Sequence, residues 1–137
     1  KLRPMIARMQ SRRKMLAKVF SERGFELAPH HDPASAASLV VLFETPEEAA
    51  RFAERPGVTR VFDNSKHIYT NWDAIISKRT FHPAMNPWAW ARRDIDYGPD
   101  VCARSIEILS RACRVALGQK YPGPLMRVVA ERITQPL

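Results

Sequence analysis

Between residues 3 and 22, apolar side chains recur close to every 3.6 residues: Met5, Ile6, Met9, Leu16, Val19 and Phe20, with basic residues on the other face. The pattern predicts an amphipathic helix that Gly24 ends as a C-terminal cap. From Phe25 to Pro29, Phe25 and Leu27 alternate with polar neighbours and predict a short strand, followed by a loop from His30 to Ala37. Leu39-Val40-Val41-Leu42-Phe43 is an uninterrupted apolar run, as expected of a strand buried on both faces. In Thr45-Pro46-Glu47-Glu48, Thr45 can cap a helix, Pro46 sits where a missing N–H costs nothing, and Glu48 completes a capping box. That helix should run to about Arg55 and stop at Pro56-Gly57, with a strand from Val58 to Phe62. Further on, Pro99 is placed to open a helix with Cys102, Ile106, Leu109 and Ala112 or Cys113 along one face. Val115 and Leu117 then alternate as a strand, 118–124 reads as a turn, and a last helix over Leu125 to Thr134 turns Met126, Val129 and Ile133 inward.

The predicted order is α-β-β-α-β-loop-α-β-α. It argues for an α+β two-layer sandwich, with a small, mostly antiparallel sheet covered by helices on one face. The 137 residues fit a single domain spanning 1–137, and no repeat, low-complexity stretch or internal boundary interrupts it.

The stretch from Asn64 to Tyr97 shows no period. It carries all three tryptophans (Trp72, Trp88, Trp90), together with His67, His82 and the run Tyr69-Thr70-Asn71-Trp72-Asp73. A loop of about thirty residues in a compact domain is usually functional. His67, Tyr69, Asn71, Trp72, Arg79, His82 and Asn86 supply donors, acceptors, a fork-shaped cation and flat apolar surface. That set suits recognition of a small polar molecule better than bond-breaking. The bland counterpart is that the tryptophans plug a gap against another domain and that His82-Pro83 and Asn86-Pro87 are turns.

Charge adds less than its total suggests. The net charge is +8, but residues 1–23 hold eight basic groups against Glu22 alone, which leaves +1 for the other 114 residues. The basicity belongs to one helix face, solvated or facing a partner, and binding to nucleic acid or a membrane surface is the lesser expectation. Cys102 and Cys113 form no CxxC pair, and a reduced, buried role is expected of both. No apolar run approaches the ~20 residues of a membrane span, so a cytoplasmic protein is expected. No GxSxG motif or glycine-rich phosphate loop is present, and His30-His31-Asp32 offers too few ligands for a metal.

Three stretches resemble one family. Pro46-Glu47-Glu48-Ala49-Ala50-Arg51-Phe52 followed by Gly57-Val58-Thr59-Arg60, then His67-Ile68-Tyr69 to Trp72 with Phe81-His82-Pro83-Ala84-Met85-Asn86-Pro87-Trp88, then Cys102–Leu109 with Val115-Ala116-Leu117, occur in order. Together they look like the C-terminal small domain of a DegT/StrS-type aminotransferase, a fold-type I pyridoxal-phosphate enzyme known for making amino sugars. The resemblance implies a homodimer with its active site between large and small domains. It implies that 1–23 is the helix connecting the two domains and that 64–98 is the substrate-side loop. The Schiff-base lysine and the residues that bind pyridoxal 5'-phosphate would lie upstream, so no catalytic or cofactor-binding residue is assigned in this chain. His67, Tyr69, Asn71 and Trp72 would line the substrate side, with His82 and Asn86 near the mouth and Arg79 meeting an anionic group. Many sugar-nucleotide members carry a Tyr-x-x-Pro-x-His type loop. Tyr69-Thr70-Asn71-Trp72-Asp73 departs from it, which leaves the keto or aldehyde acceptor open, sugar or not. A stand-alone basic α/β module binding nucleic acid or a protein partner is the alternative.

Overall fold

The structure, a computed structural model, describes residues 2–35, 38–64, 66–98, 100–118 and 121–136. Pro99, expected to open a helix, lies outside the described residues, as do Ala36 and Ala37 of the expected loop and Gln119 and Lys120 of the expected turn.

The principal elements are α1 (Leu2–Glu22), β1 (Glu26–Leu27), β2 (Leu39–Leu42), α2 (Pro46–Ala53) and β3 (Val58–Arg60). Two single-turn helices follow, α3 (Asp73–Ile76) and α4 (Pro87–Trp90), and then α5 (Ala103–Ser110), β4 (Ala112–Val115) and α6 (Gly123–Ile133). The four strands form one sheet in the order β1-β2-β4-β3, with every neighbouring pair antiparallel. The result is the expected α+β sandwich. β2 and β3 flank β4 and run parallel to each other, so α2 must cross over β4 to join them.

One face of the sheet makes the core. Leu39, Val41, Val58, Cys113 and Val115 meet Leu16, Val19 and Phe20 of α1, Ala49 and Phe52 of α2, and Met126, Ala130 and Ile133 of α6. Each large side chain sealed this way contributes about 1.5–3 kcal/mol. Phe20, Phe25, Phe43 and Phe52 pack ring against ring at the β1 end, with centroids 4.9–6.3 Å apart. β2 is therefore not buried on both faces: Leu39 and Val41 are buried, while Val40 and Leu42 are half-buried on the far side. The helical layer lies on one face only, and a fully apolar strand reads identically in the two cases.

Local signals set most boundaries. Thr45 Oγ1 accepts from Glu48 N at 3.2 Å and the Glu48 carboxylate accepts from Thr45 N at 3.3 Å, which is the full capping box. Gly24 takes φ +81, and Phe25 N donates to Phe20 O at 3.1 Å, closing α1 with a left-handed cap. The expected strand at Val115–Leu117 begins earlier, at Ala112, because α5 stops at Ser110 and the chain enters the sheet centre directly. This separates the cysteines that one helix face was expected to hold. Cys113 is buried in β4 with its thiol donating to Ala49 O at 3.1 Å, whereas Cys102 is exposed.

α1 departs most from its pattern. Met5 and Ile6, expected inward, are 46% and 41% exposed, because the first turns of the helix extend beyond the sheet. Arg12, counted with the basic face, is instead buried at 7% exposure. Its Nη1 donates to Gly118 O at 2.6 Å and its Nη2 to Tyr121 O, tying α1 to the turn between β4 and α6. Gly118 has φ +54, and a Cβ there would meet the Met126 side chain and the Tyr121 ring, so glycine is the unstrained residue at this position.

Two predictions follow from this packing. Arg12→Ala leaves two carbonyls without their charged donor and should cost about 3 kcal/mol in urea unfolding. Arg12→Lys should recover only part of that, since an ammonium lacks the two-pronged reach, and a loss within error of zero would remove the clamp. Burial, helped by Asp63 and opposed by Arg60, raises the Cys113 thiol pKa to about 11. The neutral thiol is the form that the fold favours. Its contribution is thus whole below the unfolded thiol value near 8.5 and is lost as pH climbs toward 11. At pH 8, a thiol reagent should label Cys102 quickly and Cys113 only on unfolding; equal rates would contradict the packing.

Candidate functional site

Segment 64–98 is held by its own side chains. Ile68 is fully buried and roots the segment, while its neighbour His67 stays exposed. Tyr69 Oη donates to Gly98 O at 2.7 Å, which draws the two ends of the segment together. Asn71 Nδ2 donates to Phe62 O at 2.8 Å. His82 Nδ1 accepts from Ala84 N at 3.1 Å and caps the turn Pro83–Met85. Asn86 Oδ1 accepts from Trp88 N and Ala89 N at 3.0 and 3.4 Å, capping α4, and its amide reaches Lys78 O at 3.5 Å. Lys78 takes φ +49 just beyond α3, which reverses the chain there. Trp88 Nε1 donates to Tyr97 Oη at 3.0 Å, with the rings edge to face.

These bonds sort the residues expected from sequence. Tyr69, His82 and Asn86 spend side-chain groups on the segment's own backbone and Asn71 on that of Phe62 just before it, the ordinary use of such residues in turns. Arg79 pairs with Asp73 at the surface, where such pairs contribute little to stability. Lys78 Nζ lies 2.9 Å from Asp94, and the ammonium's hydrogen bond and charge hold that carboxylate below its ordinary pKa. Trp72 is 42% exposed. The seven candidates do not converge on one point. Phe81, Met85 and Trp90 stand fully or two-thirds exposed on this internally bonded segment.

The concave feature lies elsewhere, on the face of the sheet that the core leaves bare. A cavity of about 440 Å³ has Val40 and Leu42 of β2, Thr59 beside β4, and Ala112 and Arg114 of β4 as its floor. Ile108 and Leu109 of α5 wall one side, and Asn64 and His67 bring the start of the segment to its edge. His67 is thus the one expected residue that reaches this cavity. Arg114 and Thr59 were missed; their signal was the polar half of each strand's alternation, which sequence reading assigns to solvent. Another groove, of about 580 Å³, runs along the β1 end beside Phe25 and Phe52, with Arg51 and Arg55 at its side. Arg55 is already engaged there, donating to Ile133 O and Gln135 O at 2.5 and 2.9 Å.

Among the described residues no group of three or more His, Cys, Asp or Glu could hold a metal ion. No described helix is long and apolar enough to cross a membrane.

Asn86→Ala should free Trp88 N and Ala89 N, a loss of about 1 kcal/mol confined to the segment. Their amide exchange should accelerate roughly fivefold while the exchange of β2 and β4 is unchanged. Unaltered exchange at both amides would mean that the cap does not hold the segment. No model of a known protein family matches this chain, and a search of curated proteins returns no significant match.

Proposed function

We propose that the chain is the substrate-recognition and closure domain of a pyridoxal-phosphate-dependent aminotransferase, which moves an amino group from an amino acid to a keto or aldehyde acceptor. The observation that carries this reading is one-sidedness. A sheet sealed by helices on one face leaves a cavity on the other, beside an internally bonded segment whose Phe81, Met85 and Trp90 project outward. Half of an enclosed site would have this form, and the order of the three resembling stretches agrees with the reading.

The described residues do not themselves fit the cofactor. A Schiff-base lysine needs a lowered pKa and a pocket beside it, whereas Lys66 is exposed and Lys78 is engaged with Asp94. In this reading the cofactor, which supplies the electron sink, belongs to a preceding large domain. This chain's residues would close over the substrate, exclude water and orient it. Phe81 and Trp90 would seal the joint, His67 would face the substrate, and Arg79 could leave its exposed partner Asp73 for an anionic group. A homodimer of the complete enzyme and an amino-sugar product belong to the same proposal.

The test uses the complete gene product that contains this chain. It should bind pyridoxal phosphate with a yellow absorption band and transaminate a keto acid. Phe81→Ser with Trp90→Ser should lower its kcat/KM by about 10–100-fold, the cost of imperfect closure, without lowering the unfolding midpoint of residues 1–137. A gene product that binds no pyridoxal phosphate would end the proposal.

A further inference from the structure

We infer that the cavity on the bare face of the sheet is a binding site for a small carboxylate with a short hydrocarbon body, anchored by Arg114. Strand register fixes the layout. Arg114 lies directly opposite Val40 on one side and Thr59 on the other, so these three share a rung on the open face. Two residues along β4, Ala112 lies opposite Leu42. Two residues of strand span about 7 Å. One end of the floor is therefore a guanidinium beside a hydroxyl, and the other, roughly 7 Å away, is the apolar pair Leu42 and Ala112, with Asn64 and His67 at its rim through Val61, whose N–H donates to Ala112 O.

Among the described residues the charge at the polar end has no acidic partner. Arg114 is steadied by its Nε, which donates to Thr59 Oγ1 at 3.4 Å. Among the described residues no carboxylate lies within ion-pair distance of it, and none of the residues lining the cavity is acidic. The other arginine at the edge, Arg60, is paired with Asp63 at 3.7 Å. With Nε committed to Thr59, the guanidinium retains its outer N–H groups for the two oxygens of a carboxylate. Asn64 and His67 add hydrogen-bonding groups at the edge.

Size and lining decide the ligand class. A cavity of about 440 Å³ falls in the range of small-molecule pockets. Inorganic phosphate would satisfy Arg114 but leave the half-buried Val40 and Leu42 and the exposed Ile108 wet. A neutral hydrocarbon would cover them and leave the guanidinium unpaired. A monocarboxylate with a chain of about five carbons spans both ends. This inference concerns the chain alone and stands apart from the aminotransferase reading, since it needs no cofactor.

Titration of the 137-residue chain with acetate, butanoate and hexanoate, followed by amide and methyl NMR, tests it. Shifts should centre on Val40, Thr59, Ala112 and Ile108, and affinity should rise about fourfold per methylene from acetate to hexanoate. Arg114→Gln changes an exposed side chain and should weaken hexanoate at least tenfold without altering the affinity for hexanol. Ile108→Asn should flatten the chain-length dependence and leave acetate unchanged. Inorganic phosphate binding as well as hexanoate, equal hexanoate affinity in Arg114→Gln, or shifts lying outside the cavity would each overturn the assignment.

Discussion

The strands of this sheet are two to four residues long, and strands so short do not hold together by their ladders. What holds them is the layer of α1, α2 and α6 pressed onto Leu39, Val41, Cys113 and Val115. Because all three helices lie on the same face, the central strands β2 and β4 are sealed on that side and face a cavity on the other. The core, the bare cavity and the position of segment 64–98 are thus consequences of one packing choice. A second helical layer would have completed the domain and removed the cavity.

Arginine does much of the joining between elements. Arg12 ties α1 to the carbonyls of Gly118 and Tyr121, Arg55 ties α2 to those of Ile133 and Gln135, and Arg111 donates to Phe43 O at 2.7 Å between β4 and the start of α2. Each fork satisfies carbonyls at chain ends or turns, where no strand or helix partner exists. Part of a strongly basic composition is therefore internal scaffolding. The net charge of +8 is unchanged by these bonds, because carbonyl oxygens carry no charge to offset it.

Segment 64–98 divides polar from apolar work in an unexpected way. Asn and His side chains that resemble ligand contacts mostly close turns, since a chain without sheet or long helix must pair its backbone groups with something. The apolar rings, which a lone domain would bury, are the groups left outside at Phe81 and Trp90.

Hydrophobic period and cap chemistry, read along the chain, determined the element order, the sandwich, the Thr45 capping box, the glycine end of α1 and the inward face of α6. These are local decisions: a 3.6-residue stripe or a Thr-Pro-Glu-Glu run means the same thing in any fold. Tertiary structure decided which face of β2 is bare, that Arg12 points inward, that Met5 and Ile6 lie beyond the sheet, and that Arg114, Thr59 and Val40 share one rung. No linear pattern carries those facts. They depend on strand register and on which side the helices pack, and both are settled by residues far apart in sequence.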